Sequence, residues 1–236
     1  MSWDERLAAW WVGEVAGDPA YAEVVVPLAL EVLDPRPGAR YLDLGCGEGQ
    51  VMRAVASAGG RVYGCDASPS LAARAASVGP VVVGRLPDLG WAADGSFDGA
   101  YAVLVLEHVA EFRETLEAAA RVVRPGGVLA VVVNHPAYTA PGSAPVLDPT
   151  DGEILWRWGT YLDEGFSDVP AGEGSVRFHH RPMGRLLSAA AASRWCLELI
   201  VEEGVADPQA ARDALLEAQR HVPRLLAARW VRETAR

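Results

Sequence analysis

The chain has 236 residues, half of them hydrophobic and 22% charged, enough for one buried core. A net charge of −10 argues against a nucleic-acid partner, because phosphate binding needs a basic patch; the arginines near the C-terminal end (Arg220, Arg224, Arg229, Arg232) read as a solvated face. No apolar run reaches the ~18 residues of a membrane span, "MSWDERLAAWW" carries no secretory signal pattern, and three cysteines without CxxC or zinc spacing suit a reduced cytoplasmic compartment without structural metal.

Apolar and acidic residues alternate at helical spacing over 3–16 and 19–33, with Asp18-Pro19 between them, and "DPRPG" at 34–38 ends the pattern. The spacing then predicts a strand over 39–44, a helix from Gln50 closed by Gly59-Gly60, and a strand over 61–66. A helix follows over 68–77, with Ser68 as its N-cap and Pro69 in its first turn. Strands follow at 81–84 and 98–106, then a helix over 111–123 stopped by "RPGG", then an all-apolar strand over 128–134. Strands alternating with helices predict βαβ units and a parallel sheet. The beat stops at Asn134. Residues 135–174 are rich in Pro, Gly, Asp and aromatics and read as irregular; a helix at 181–193 and strands at 195–204 and 223–232 complete the chain.

In such a sheet, ligands bind beyond the carboxyl ends of the strands. "YLDLGCGEGQ" (41–50) puts Gly45, Gly47 and Gly49 at that end of the first strand, where glycine permits positive φ and close approach of a ligand to the backbone. The spacing is G-x-G-x-G, with Gln50 where a dinucleotide fingerprint wants glycine, and no GK[ST] occurs. Asp43 and Glu48 would repel phosphate and suit a cation. Asp66 ends the second strand, where a carboxylate either caps the helix of "DASPS" or accepts hydrogen bonds from vicinal hydroxyls of a ribose. Cys46 and Cys65 read as small buried apolar residues.

Four stretches in order, "LDLGCGEG", "VYGCDASPSLAARA", "GSFDGAYAVLVLEHV" and "RVVRPGGVLAVVV", resemble the class I S-adenosylmethionine-dependent methyltransferases over residues 40–134. The resemblance implies an α/β fold: a doubly wound, seven-stranded, mostly parallel Rossmann-like sheet whose last strand is antiparallel. It implies one domain over 1–236, with an N-terminal helical cap (1–35), a cofactor-binding core (36–134), a lid and substrate insertion (135–178) and a segment completing the sheet (179–236). It further implies S-adenosylmethionine as cofactor, S-adenosylhomocysteine as product, and methyl transfer to an O or N atom of a small molecule. A protein that binds the nucleoside without transferring its methyl fits the same motifs.

Carried over by position, Asp43, Gly45, Cys46 and Gly47 would hold the methionine moiety and Asp66 the ribose. Ala67 and the Leu86 amide would lie by the adenine, and Ala102 and Val103 near the sulfonium. Arg85 stands where the family often has an acid for the adenine amine. His108, after "LE", would face the cofactor loop or make a structural bond. The insertion, "VNHPAYTAP" followed by "GEILWRWGTYLDEGF" and "VRFHHRPMGRLL", resembles a bacterial subgroup of the same superfamily with HP and TAP after its fifth strand. His135, at the strand end, is then the first candidate for a base or a substrate ligand. Tyr161, Trp11 and His180 are candidate substrate contacts, and Arg181 is expected to pair with Glu164. Trp10, Trp11, Trp156 and Trp158 serve either a lid core or a flat or cationic substrate, and the tryptophans of the first helix suit a homodimer interface equally well.

Overall fold

The computed structural model describes residues 5–15, 17–211 and 214–234. The first expected helix is shorter than its pattern: α1 spans Glu5–Trp10 and a π-helical turn follows over Trp11–Val15, while residues 3–4 and 16 lie outside the described residues. The second opens with a π-helical turn, Tyr21–Val25, before α2 (Val26–Leu33). Pro27 accounts for that wide turn, because it has no N–H to give the α-helical ladder.

The alternating part then runs β1 (Arg40–Leu44), α3 (Gln50–Ser57), β2 (Arg61–Asp66), α4 (Pro69–Ala75), β3 (Val81–Val83), β4 (Phe97–Val103), α5 (Phe112–Val122) and β5 (Val123–Asn134). Ser68 caps α4 as expected, its hydroxyl accepting from the Leu71 amide. Two boundaries differ from the sequence reading. β4 stops three residues early because Leu104 adopts a left-handed conformation (φ 54°), and a 3₁₀ turn, Leu106–His108, replaces its expected end. β5 starts early: Val123 pairs with Phe97, the register shifts across "RPGG", and pairing resumes at Val128 opposite Gly99.

Residues 135–180 are more regular than their composition implies. α6 (Pro136–Thr139) is followed by a hairpin of β6 (Ala144–Leu147) and β7 (Ile154–Arg157), then a second hairpin of β8 (Gly165–Ala171) and β9 (Gly174–His180). Gly172 takes φ 59° in the two-residue turn of the second hairpin, a geometry that β-branched or bulky residues resist. The chain closes with α7 (Met183–Ala192), β10 (Trp195–Glu203), two short helices absent from the sequence reading, α8 (Asp207–Ala210) and α9 (Ala214–Ala218), and β11 (Leu225–Arg232).

The seven-stranded sheet has the order β10-β11-β5-β4-β1-β2-β3. β1 to β5 are mutually parallel, and β11 lies antiparallel between β5 and β10. The order reverses between β1 and β4, which makes their carboxyl ends the switch point. Alternate strand residues feed two cores. Leu42, Leu129, Val131 and Leu226 pack with Leu116 of α5 and Leu186 of α7. Tyr41, Tyr101, Val132 and Ala227 pack with Val32 of α2 and Met52 and Val55 of α3. Burying each large apolar side chain stabilises by about 1.5–3 kcal/mol, so the helices hold the strand ends in fixed register beneath the cleft.

Candidate active site

A cleft of about 350 Å³ opens over the switch point. Its floor comes from the loop after β1, the end of β2, the segment after β3 and the turn after β4. Trp11, directly after α1, and Arg177 and His179 of β9 also line it. These two elements touch each other, since Leu7 packs with Ala171 and Val176 and a Cβ on Gly172 would meet Trp10 at 3.4 Å.

The glycine loop is shaped for a ligand. Gly45 has φ 78°, and a Cβ there would lie 2.7 Å from both methyl carbons of Val105, so only glycine lets the two loops approach. Gly47, at φ 53°, has open space where its side chain would be, the nearest atom being Trp11 Nε1 at 4.0 Å. Its amide donates to Asp66 Oδ2 at 2.8 Å, while Asp66 Oδ1 accepts from the Ser68 amide at 2.8 Å. Each carboxylate oxygen keeps a lone pair for a further donor. Burial raises the Asp66 pKa, and the two amides oppose that rise. The acid is therefore both a cap and a cleft residue, and the two readings of it are compatible.

The other acids behave differently. Asp43 is buried behind the glycine loop and is not a wall of the cleft. Burial holds its pKa well above the usual carboxylate range. The Tyr101 hydroxyl lies near enough to oppose that shift, although it makes no hydrogen bond of ordinary geometry. Glu48 does line the cleft, accepts from Gln50 Nε2 at 3.0 Å and has Arg53 and Arg74 at 3.9 and 4.0 Å. Burial pushes the thiols of Cys46 and Cys65 up, that of Cys65 to about 12, so both are neutral apolar groups.

Of the remaining expected cofactor residues, Ala67, Leu86 and Val103 line the cleft, with Arg85 beside Leu86, whereas Ala102 is buried in the sheet behind it. Trp11 lines the cleft with its ring edge-on to Tyr21 at 6.0 Å. His108 also lines it, but its Nδ1 is 3.0 Å from the Arg177 carbonyl and its ring packs on Phe178 at 4.5 Å.

Three candidates lie elsewhere. His135 is buried outside the cleft: Nε2 meets Glu202 Oε1 at 2.8 Å, Nδ1 accepts from the Ala137 amide at 3.0 Å, and the residue caps α6. Both nitrogens are taken because β5 ends against β11 and β10, not against the ligand crevice. His180 is almost wholly buried, with Nε2 2.8 Å from the Tyr161 carbonyl, and the Tyr161 hydroxyl accepts from the Met183 amide at 3.3 Å. These bonds fasten the insertion to α7 and keep both residues out of the cleft wall. Arg181 does not pair with Glu164. Its guanidinium donates to the carbonyls of Leu106, Val109 and Ala110 and lies 4.2 Å over Phe112, while Glu164 pairs with Arg185 at 3.0 Å. Burial lowers the Arg181 pKa to about 10. Among the other tryptophans, Trp156 stacks on Tyr138 at 5.4 Å and Trp158 is exposed, edge-on to Tyr161.

The cleft also holds residues that the sequence reading missed: Tyr21, Glu111, Arg177 and His179. A signal existed for the last two. In "SVRFHH" the alternating positions Arg177 and His179 share one face of a strand, but the sequence reading assigns no element to residues 175–180. Asp66 with its free lone pairs, the bare backbone of Gly47 and the nearby Glu48 suit a ligand that carries hydroxyls and a cationic centre, and Arg85 and Arg177 also line the cleft.

Comparison with known proteins agrees with this geometry. A family profile described as methyltransferase domain matches residues 42–131. An S-adenosylmethionine-dependent methyltransferase structure from Mesorhizobium loti is 30% identical, covers 91% of this chain and 99% of its own, and superposes with a TM-score of 0.75. The 1,6-didemethyltoxoflavin-N1-methyltransferase of Burkholderia thailandensis, solved with its substrate and S-adenosylhomocysteine, shares the fold at 17% identity and a TM-score of 0.61, covering 97% of this chain and 88% of its own. The ubiquinone biosynthesis O-methyltransferase of Xanthomonas campestris pv. campestris is 35% identical over 130 residues, 51% of this chain, and the chain spans about half the length of that relative (54%). No described helix is long and apolar enough to cross a membrane. With its seven-stranded sheet and 30% identity to the Mesorhizobium protein over 99% of that chain, the chain belongs to the class I S-adenosylmethionine-dependent methyltransferase family.

Proposed function

We propose that the protein transfers a methyl group from S-adenosylmethionine to an O or N atom of a small molecule. The observation that carries this reading is the Asp66 carboxylate, bonded to the Gly47 amide at the edge of the cleft with lone pairs left for two hydroxyls. Asp66 would hold the ribose, and Ala67 and Leu86 would bound the adenine. The bare backbone at Gly47 would take the methionine end, with buried Asp43 fixing the loop from behind. The bound cofactor supplies a methyl on a sulfonium, ready for in-line displacement. The chain's own part is placement and exclusion of water. Holding an acceptor on the sulfur–carbon axis can lower the barrier by several kcal/mol, up to about 7–11 in ideal cases. α1 and the β8–β9 hairpin form the cover that excludes water.

A small acceptor agrees with the names of two relatives, a ubiquinone biosynthesis O-methyltransferase and a 1,6-didemethyltoxoflavin-N1-methyltransferase. Calorimetry with S-adenosylhomocysteine tests the cofactor half, and the absence of binding at millimolar ligand refutes it. Incubation with methyl-labelled cofactor and a metabolite extract tests the transfer half, and binding without any labelled product favours a nucleoside-binding protein of the same fold.

A further inference from the structure

The cleft does not end at the cofactor floor. A second groove opens from it, between residues 110–114 at the start of α5 and the β8–β9 hairpin, and the two cavities share Ala110, Glu111 and His179. His179 is the histidine at their junction. The other cleft histidine, His108, is held by the Arg177 carbonyl, His135 is fastened elsewhere, and His180, which borders the second groove but not the cleft, has its Nε2 on the Tyr161 carbonyl. Among the described residues, the His179 imidazole makes no side-chain hydrogen bond; its one recorded ring contact is with Phe166, 6.3 Å away. Phe166 is itself 53% exposed and borders the second groove, offering an apolar face beside the imidazole.

We propose that the second groove holds a phenolic acceptor against Phe166 and that His179 takes the phenol's proton. The proposal rests on the methyl-transfer reading above. In the step, a lone pair of the acceptor oxygen forms the new bond to the methyl carbon. The carbon–sulfur bonding pair returns to sulfur, and the hydroxyl proton passes to a free nitrogen of His179. Atoms and charge balance, since the positive charge of the sulfonium ends on the imidazolium.

The surroundings favour this role. Burial, then Arg181 and Arg177, lower the pKa of His179, with Glu111 opposing and His108 adding to the fall, so the imidazole is neutral at pH 7. The cations near it are themselves occupied: Arg177 is bound bidentately to Asp168 at 2.9 Å and lies 3.8 Å over Phe166, and Arg181 is bound to three carbonyls. Glu111, Glu114 and Glu164 line the second groove together with Arg113 and Arg181, so its charges nearly balance and the imidazole is the neutral group placed to take a proton. Strand alternation explains why His179 and not His180 borders both cavities: His180, on the opposite face of β9, reaches only the second groove and is bonded to the Tyr161 carbonyl.

The test is NMR of the full chain labelled at histidine Cε1, with His179→Gln and His179→Asn each used to assign the His179 resonance. The protein is saturated with S-adenosylhomocysteine, checked by calorimetry, and titrated with catechol, with cyclohexanol as control. A saturable shift of the His179 resonance with catechol alone is expected. An unmoved resonance at saturating catechol overturns the proposal and leaves the cofactor reading intact, whereas failure to bind S-adenosylhomocysteine removes both. With catechol and labelled donor, His179→Gln should lower kcat about 10²-fold while S-adenosylhomocysteine affinity stays within about twofold, and the loss of wild-type rate toward acid pH should vanish in the variant. A variant with wild-type kcat and an unchanged pH profile also overturns it.

Discussion

Replacing Asp66 by alanine probes the centre of the cofactor reading. The native carboxylate accepts from the Gly47 and Ser68 amides, both at 2.8 Å, and would accept from two ribose hydroxyls when the cofactor binds. A net hydrogen bond to a charged acceptor contributes about 1.5–3 kcal/mol, and a donor left unsatisfied in a buried place costs about 1–3 kcal/mol. Hydroxyls bound there would sit at the cleft edge, where water would replace part of what is lost. The expected penalty for S-adenosylhomocysteine binding is therefore about 1–3 kcal/mol, a weakening of about 5- to 150-fold. The unliganded protein also loses the tie between the glycine loop and β2, so its thermal midpoint should fall. Asp66→Asn keeps the size and one acceptor while removing the charge, and should land between wild type and alanine. Calorimetry on samples whose circular dichroism is native reads the affinity. A dissociation constant within about twofold of wild type for the alanine variant, with the fold intact, would show that the sugar is held by another group and that Asp66 is only a helix cap.

Gly45→Ala should lower the midpoint of thermal unfolding, because the new methyl group would lie 2.7 Å from Val105 carbons at φ 78°, and a stability unchanged within about 0.5 kcal/mol would contradict the tight loop–loop approach. Cofactor affinity should decline as the pH falls, since burial has already raised the Asp66 pKa and protonation removes the acceptor; calorimetry across a pH series reads this, and Asp66→Asn should show a flatter dependence. His135→Ala should cost about 1–3 kcal/mol of stability in denaturant unfolding and leave S-adenosylhomocysteine affinity unchanged, because the imidazole is bonded to Glu202 and the Ala137 amide outside the cleft. Burial, more than Glu202 opposes it, lowers the folded pKa of His135 below 6.5. Its contribution is thus present above that value and lost as pH falls through the folded pKa, so the acid-side loss of stability should be smaller in the variant.

The glycine loop and its tie to Asp66 were readable because they are local in sequence. Gly45, Gly47 and Asp66 stand at strand ends that the apolar runs announce, and their mutual bond follows from two neighbouring parallel strands. The far wall of the cleft was not, because it depends on packing between distant segments. His135 looks like a crevice residue on the assumption that every strand end faces the ligand; β11 and β10 occupy that side instead. His179 and His180 are adjacent in sequence and equivalent in composition, and only the pairing of β9 with β8 decides which one reaches the cleft over the switch point. The turn at Gly172-Glu173 held that information, but prolines and glycines on either side obscured the strand alternation. Leu104 is the other instructive miss: seven apolar residues in a row promised a longer β4, and a single left-handed residue ended it.

The placement of β11 bears on how the molecule is made. β11 is the last of the seven strands to be synthesised, yet it occupies an interior position and supplies the neighbour of β5. Until residues past 225 have emerged from the ribosome, β5 presents an unsatisfied row of backbone amides and carbonyls along an apolar strand, and β10 has nothing to pair with. A nascent or clipped chain stopping before that strand would carry a complete glycine loop on a sticky, open-edged sheet, so loss of the final turn of synthesis should send the protein to aggregates and chaperones and not to a smaller working enzyme.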